Sequence, residues 1–222
     1  MLGREIPPDT AWVRVVGAAK RGVGELINRG YETAQQWAAI GPNTARGRRF
    51  GHFGQGSVVC FPWVTIMNER YISIGEGTMI GPQAALSAGM LPGQECITDP
   101  VVSIGDRCLI GRGSGIVGHL SIEIGDDVWT GHHVYITDQN HGYDDSSRPI
   151  SEQLQPERSV SIGSGSWLGN GSVVLPGAQI GRNVVIGANS VVTGTIPNYS
   201  IAVGAPARVI KRLPPPNQQP SR

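Results

Sequence analysis

Several things are scarce in this 222-residue chain, and each scarcity removes a class of protein. The three cysteines, Cys60, Cys96 and Cys108, are odd in number and widely spaced. That argues against a disulfide framework and for a reducing compartment. Lys and Arg number 18 against 17 Asp and Glu, so a net charge of +1 gives no general electrostatic case for nucleic acid. No apolar run is long enough to span a bilayer, and the opening MLGREIPPDT lacks the apolar core of a signal peptide. A cytoplasmic location is the expectation. Glycine is the opposite case: there are 32, but with no G-X-Y period, so collagen is excluded.

The glycines belong to another period. Between Ile162 and Pro197 the chain reads IGSGSWLGNGSVVLPGAQIGRNVVIGANSVVTGTIP. An aliphatic residue returns every sixth position, at Ile162, Leu168, Val174, Ile180, Ile186 and Val192. Four places after each comes a second inward candidate, at Ser166, Ser172, Ala178, Val184, Ser190 and Ile196. Six matches neither a helix nor a strand alternation. It fits an all-β solenoid in which each hexad gives one short strand and one corner. Three hexads close a triangular coil, and the next coil stacks about 4.8 Å further on. Ile162 then lies under Ile180, Leu168 under Ile186 and Val174 under Val192.

Taken in order, residues 1–50 read as an N-terminal helical appendage. Thr10 or Asp9 caps a helix through about Asn28, and a second short helix covers Glu32 to Ala39. This segment carries eight Lys/Arg against four Asp/Glu, a balance of +4. It either covers an end or side of the solenoid or contacts an anionic membrane surface peripherally. Hexads begin near Phe53, with Val59 and Thr65, and continue through Ile74, Ile80 and Leu86. Residues 87–103 lose the pattern, and either an irregular coil or an ejected loop satisfies the spacing. Clean coils resume at Ile104, Ile110 and Ile116, where Cys108 takes a small inward position, and again, after two extra residues, at Ile124, Thr130 and Ile136. The β-helical domain is read as 51–213, followed by a disordered tail, 214–222.

The period vanishes once more, in an excursion loop at 137–161. Structureless loops this long are uncommon and often functional. A solenoid has flat faces, and a loop thrown from one corner builds a cleft. His141 stands in this loop, in TDQNHGY, and an imidazole accepts a proton near neutral pH. Asp138 or Asp144 is placed to fix its tautomer, and Asp138 and Asn140 to orient the base or an acceptor. Trp129, Tyr135 and Tyr143 are aromatic candidates for stacking on a ligand.

The segments IGDDVWTGHHVYITDQNHGYDD, SIGSGSWLGNGSVVLPGAQIG and PNYSIAVGAPARVIKRL resemble the hexapeptide-repeat acyltransferases. The likeness is to sugar O-acetyltransferases of the maltose, galactoside and colanic-acid type. The resemblance implies a left-handed parallel β-helix, a homotrimer with active sites between subunits, acetyl-CoA as donor, and a small-molecule or glycan hydroxyl as acceptor. It makes His141 the general base of a direct transfer with no acyl-enzyme. It places Trp167, Gly169 and Ala188 beside the pantetheine arm, and Ser190, Thr193 and Pro206 toward the adenine. Arg208, Lys211 and Arg212 lie where they reach phosphates. Gly194 stands where many relatives carry lysine. Transfer of a longer acyl group, from CoA or an acyl carrier protein, and a non-catalytic scaffold are the alternatives. A zinc enzyme on the same fold needs three histidines, two of them usually five apart. No pair among His52, His119, His132, His133 and His141 is, so no metal is expected.

Overall fold

The computed structural model describes residues 11–153 and 156–216. From Ala39 onward the chain winds into a three-walled prism of short parallel strands. The first wall stacks His52–Phe53, Ile72–Ile74, Val102–Ile104, Ile122–Ile124, Val160–Ile162, Gln179–Ile180 and Thr195–Ile196. The second stacks Val58–Val59, Met79–Ile80, Leu109–Ile110, Trp129–Thr130, Trp167–Leu168, Val185–Ile186 and Ser200–Val203. Arg208–Arg212 closes this wall as an antiparallel strand against Ser200–Val203. The third stacks Thr65–Met67, Ala85–Ala88, Gly115–Gly118, Tyr135–Thr137, Val173–Val174 and Val191–Val192.

The columns foreseen from the period are present. Ile162 pairs with Ile180, Leu168 with Ile186 and Val174 with Val192, and all six are buried. Ser166, Ser172, Ala178, Val184 and Ser190 fill the narrow corners and are also buried. Each such aliphatic side chain removed from water contributes about 1.5–3 kcal/mol. The backbone is satisfied between coils: Gly163 N–H donates to Ile180 O at 2.8 Å, and Trp167 N–H to Val184 O at 2.8 Å. Glycine is required at some corners by approach alone. A Cβ on Gly169 would lie 2.5 Å from the backbone nitrogen of Ala188 in the next coil.

The register departs from expectation where the chain gains or loses residues. Ile66, not Thr65, joins the core, pairing with Leu86, because the corner at 60–64 is one residue longer than a hexad allows. Ile196 takes the main column above Ile180 rather than a corner, so the last coil is two residues short. Ile104 stacks directly on Ile74, so residues 89–101 form an ejected loop and no coil lies between. Cys108 is the core thiol anticipated, 2% exposed.

The N-terminal region differs in two ways. Ala11–Ala38 is one helix, not two. Thr33 Oγ1 donates to Arg29 O across the expected break, and Gly30 alone costs too little to end a helix, about 1 kcal/mol. The caps Asp9 and Thr10 lie outside the described residues, as does the tail from 217. The first strand of the β-helix is His52–Phe53, and the compact unit that contains it extends back to Ala39. Ile40 exchanges two backbone bonds with Val59, and Ile40 and Phe50 are buried in its core. The helix taken by itself carries exposed Val15, Leu26 and Trp37 among its apolar residues.

Candidate active site

The excursion leaves the third wall after Tyr135–Thr137 and returns at Val160–Ile162. Its two roots are tied: Arg158 N–H donates to Asp138 O at 2.9 Å, and Gly177 N–H to Arg158 O at 3.0 Å. Its far part is held by Gln153, a mostly buried amide. Gln153 Nε2 donates to Asp145 O at 2.8 Å and Arg148 O at 3.0 Å, and its backbone carbonyl accepts Gly142 N–H at 2.8 Å. A long polar loop thus has a defined shape with almost no apolar core of its own.

At the root of this loop lies a cleft of about 230 Å³. His141 and Asn140 line it from the loop, His119 from the preceding coil and Glu157 from the returning limb. Ser87 and Met67 contribute from the neighbouring third-wall strands. The His141 ring has no hydrogen-bond partner among the described residues, so it is available to a ligand. Its backbone N–H donates to Asn140 Oδ1 at 2.9 Å, which fixes the chain just before the imidazole.

Asp138 behaves differently from expectation. It is fully buried, and its carboxylate accepts three backbone N–H groups: His119 at 2.8 Å, Leu120 at 2.8 Å and Ser121 at 2.7 Å. The carboxylate is therefore committed to the turn at 119–121 and makes no bond to the His141 ring. Its effect is to lock that turn against the root of the loop, which sets the two histidines relative to one another. Asp144 makes no bond to the ring either.

His119 and Glu157 are the residues that sequence reasoning missed. His119 Nδ1 lies 3.2 Å from Glu157 Oε1, and the His119 side chain is only 9% exposed. Their separation of 38 residues carries no local signal. The only hint in the chain was the two-residue insertion that begins at His119.

The residues assigned to the donor fall elsewhere. Trp167 is half-exposed on the second wall, in register with Trp129 and Val185, and does not line the cleft. Gly169 and Ala188 form adjoining corners of successive coils. Ser190 has no exposed side chain to offer: its Oγ accepts Gly204 N–H at 3.1 Å inside the last coil. Thr193 and Pro206 are exposed, as are Arg208 and Lys211 on the final strand, which is a strand and not a helix. Arg212 is partly engaged, with a guanidinium nitrogen 3.3 Å from Ser200 Oγ. Within one chain Trp167, Arg208 and Lys211 lie on the second wall, whereas the excursion that carries His141 leaves the third, whose last strand Val191–Val192 is flanked by Ser190 and Thr193. Tyr135 lies over Gly115, and Tyr143 is exposed in the loop.

The cysteines stay protonated thiols. Burial pushes all three above the usual range, and Cys108 donates to Gly125 O at 3.1 Å. Among the described residues no group of three His, Cys, Asp or Glu could hold a metal, and no helix is long and apolar enough to cross a membrane.

Comparison with known proteins agrees with this architecture. Residues 159–194 match the family described as bacterial transferase hexapeptide (six repeats), and residues 101–137 the hexapeptide repeat of succinyl-transferase. The chain is 35% identical over 162 residues to WbbJ of Escherichia coli (strain K12), assigned as a lipopolysaccharide biosynthesis O-acetyl transferase. That match covers 70% of this chain and 78% of the relative. It is 47% identical over 107 residues to an assigned acetyltransferase of Mycobacterium tuberculosis, covering 48% of this chain and only 36% of that longer relative. In three dimensions it resembles AntD, an N-acyltransferase from Bacillus cereus solved with dTDP and coenzyme A. The TM-score is 0.65 at 22% identity, over 76% of this chain and 88% of that one, a likeness of fold. Hexad period, three stacked walls, the histidine-bearing excursion and these relatives agree: the chain belongs to the hexapeptide-repeat acyltransferases, with their left-handed parallel β-helix.

Proposed function

We propose that the protein transfers an acetyl group from acetyl-CoA directly to a hydroxyl of a sugar or glycoconjugate. The observation that carries this reading is the His141 imidazole, without a hydrogen-bond partner among the described residues, in a cleft at the root of the 138–159 excursion. His141 takes the proton of the acceptor hydroxyl as its oxygen attacks the thioester carbonyl. The tetrahedral intermediate collapses, the carbon–sulfur bond breaks, and the imidazolium returns its proton to the CoA thiolate. Asn140 sets the backbone before the base, and Asp138 acts as a positioning residue through the turn at 119–121. Holding both reactants in one cleft supplies much of the acceleration.

Trp167, Gly169, Ala188, Thr193 and Pro206 are proposed to line the path of CoA, with Arg208 and Lys211 toward its phosphates. Ser190 can take part only through its backbone. Trp167, Arg208 and Lys211 occupy the second wall and the base leaves the third, which supports a homotrimer in which a second copy of the chain completes the site. The basic helical segment, with exposed apolar residues, supports peripheral contact with an anionic membrane surface. Three unpaired cysteines support a cytoplasmic location.

The test is a panel of sugars, glycolipid precursors and antibiotics assayed for CoA release and for acetylated product by mass. The reading predicts thiol release that depends on one acceptor class. Binding of acetyl-CoA with no transfer to any member would contradict it.

A further inference from the structure

Two imidazoles share the cleft, and direct transfer needs only one base. The second, His119, is built into place. Its backbone N–H is held by the buried Asp138 carboxylate, and its ring by Glu157. A carboxylate only accepts hydrogen bonds, so in the neutral ring Nδ1 carries the proton and Nε2 bears the lone pair. Among the described residues Nε2 has no protein partner. The Ser87 hydroxyl, which also lines the cleft, has no hydrogen-bond partner among the described residues either, while Met67, Met90 and Val117 give the cleft apolar walls. The cleft, of about 230 Å³, has room for a compact polar molecule.

The geometry points to His119 as the residue that selects which hydroxyl is acetylated. Its Nε2 accepts a hydrogen bond from a second hydroxyl of the acceptor, adjacent to the one facing His141. A base alone cannot choose among the hydroxyls of a sugar. Two imidazoles locked in relative position by Asp138 can, because an adjacent pair of hydroxyls must meet both at once. A site built to bond a hydroxyl also rejects analogues that lack it. The substrate class is therefore a polyol with two neighbouring hydroxyls, and Glu157 is a positioning residue acting through the ring.

This inference rests on the acyl-transfer reading above, and the experiment separates the two. The full chain and its His119→Ala, His119→Gln, Glu157→Leu and His141→Ala variants are assayed with acetyl-CoA. The acceptors are methyl α-D-glucopyranoside, methyl β-D-galactopyranoside and their monodeoxy analogues. His119→Ala should raise the acceptor KM about tenfold, the loss of one hydrogen bond of about 1.4 kcal/mol. The donor KM should not move, and kcat should change much less than the acceptor KM. His119→Gln, which keeps an acceptor oxygen, should recover part of the loss. Removing the hydroxyl next to the acetylated one should penalise the natural chain about tenfold and His119→Ala hardly at all. A merely structural His119 would leave that penalty equal in both, and this result overturns the inference. If His119→Ala does not fold, Glu157→Leu, which leaves the ring Nδ1–H without its acceptor, decides by the same comparison, with a reduced penalty in support and an equal one against. If the natural chain acetylates neither these glycosides nor any member of the wider panel, the acyl-transfer reading falls and takes this one with it; if it acetylates only acceptors without two neighbouring hydroxyls, this inference alone falls. Transfer that is abolished in His141→Ala, with equal deoxy penalties throughout, sinks only the role of His119.

Discussion

The coils at 160–196 and the excursion at 138–159 are built from the same chain by opposite means. In the coils stacking engages buried hydroxyls such as those of Ser166 and Ser190. Ser166 Oγ donates to Gly181 O at 3.0 Å and accepts Val184 N–H at 3.1 Å, and Ser190 Oγ accepts Gly204 N–H. In the excursion and the turn facing it, polar groups hold one another instead: Gln153 the far segment, Asp138 the turn, Glu157 the imidazole of His119. Among the described residues the His141 ring is left there without a partner. The difference teaches where to look for chemistry in such a fold: in the side chains that neither stacking nor loop closure uses.

Mutation can sharpen or break this contrast. Leu168 is fully buried in its column, and Leu168→Ala should lower unfolding free energy by about 2–5 kcal/mol in urea denaturation. Below its melting range the variant should keep its turnover, since the column touches no reactant. His141→Ala should do the reverse. Turnover should fall at least about a hundredfold, while thermal stability and CoA affinity, read by melting and calorimetry, stay near those of the natural chain. If the two variants lose activity and stability in parallel, scaffold and site are not separable in the way described.

Trp167→Ala probes a half-exposed residue of the coils. The donor KM should rise about tenfold, with little loss of stability and no change in acceptor KM, checked by steady-state kinetics with each substrate varied. An effect on the acceptor alone would move Trp167 to the other side of the site. The smallest effect concerns the Arg107–Asp127 pair on the outer surface, at 2.8 Å. The hydrogen bond from Arg107, aided by its charge and opposed by desolvation, lowers the Asp127 carboxyl below its usual range. A depressed carboxyl stabilises the fold above its unfolded pKa, and that contribution is lost as pH falls through the folded value. Asp127→Asn should therefore lower the melting temperature slightly near neutral pH and not at all in strong acid. The pair is exposed and screened, so the shift should shrink further in salt.

Much of the solenoid was legible because its period is a direct copy of its geometry. Ile162, Leu168 and Val174 find their partners eighteen residues on, as stacking demands. Legibility failed where length changed. The long corner before Ile66, the shortened last coil at Ile196 and the ejected loop at 89–101 all alter the count without altering composition. The single helix Ala11–Ala38 reads as two in sequence, because the continuity of i→i−4 bonding across 29–31 leaves no mark in composition. In the site, His141 and Asn140 could be read from a break in the period. Asp138 was singled out as a partner for the base, but its carboxylate serves backbone N–H groups, which sequence does not advertise. Ser190 fitted two readings, inward corner and ligand contact, and its burial leaves its side chain only the first. The His119–Glu157 pair depends on where a loop returns, which no local pattern encodes.

The most direct test of the central claim is a crystal structure of the full chain with CoA and an acetylated acceptor. The account predicts the thiol and the ester oxygen together in the cleft beside the His141 ring, with the pantetheine arm passing the Trp167 wall of a neighbouring copy. A thiol seated elsewhere, with the His141 ring facing bulk solvent and the cleft empty, would contradict it.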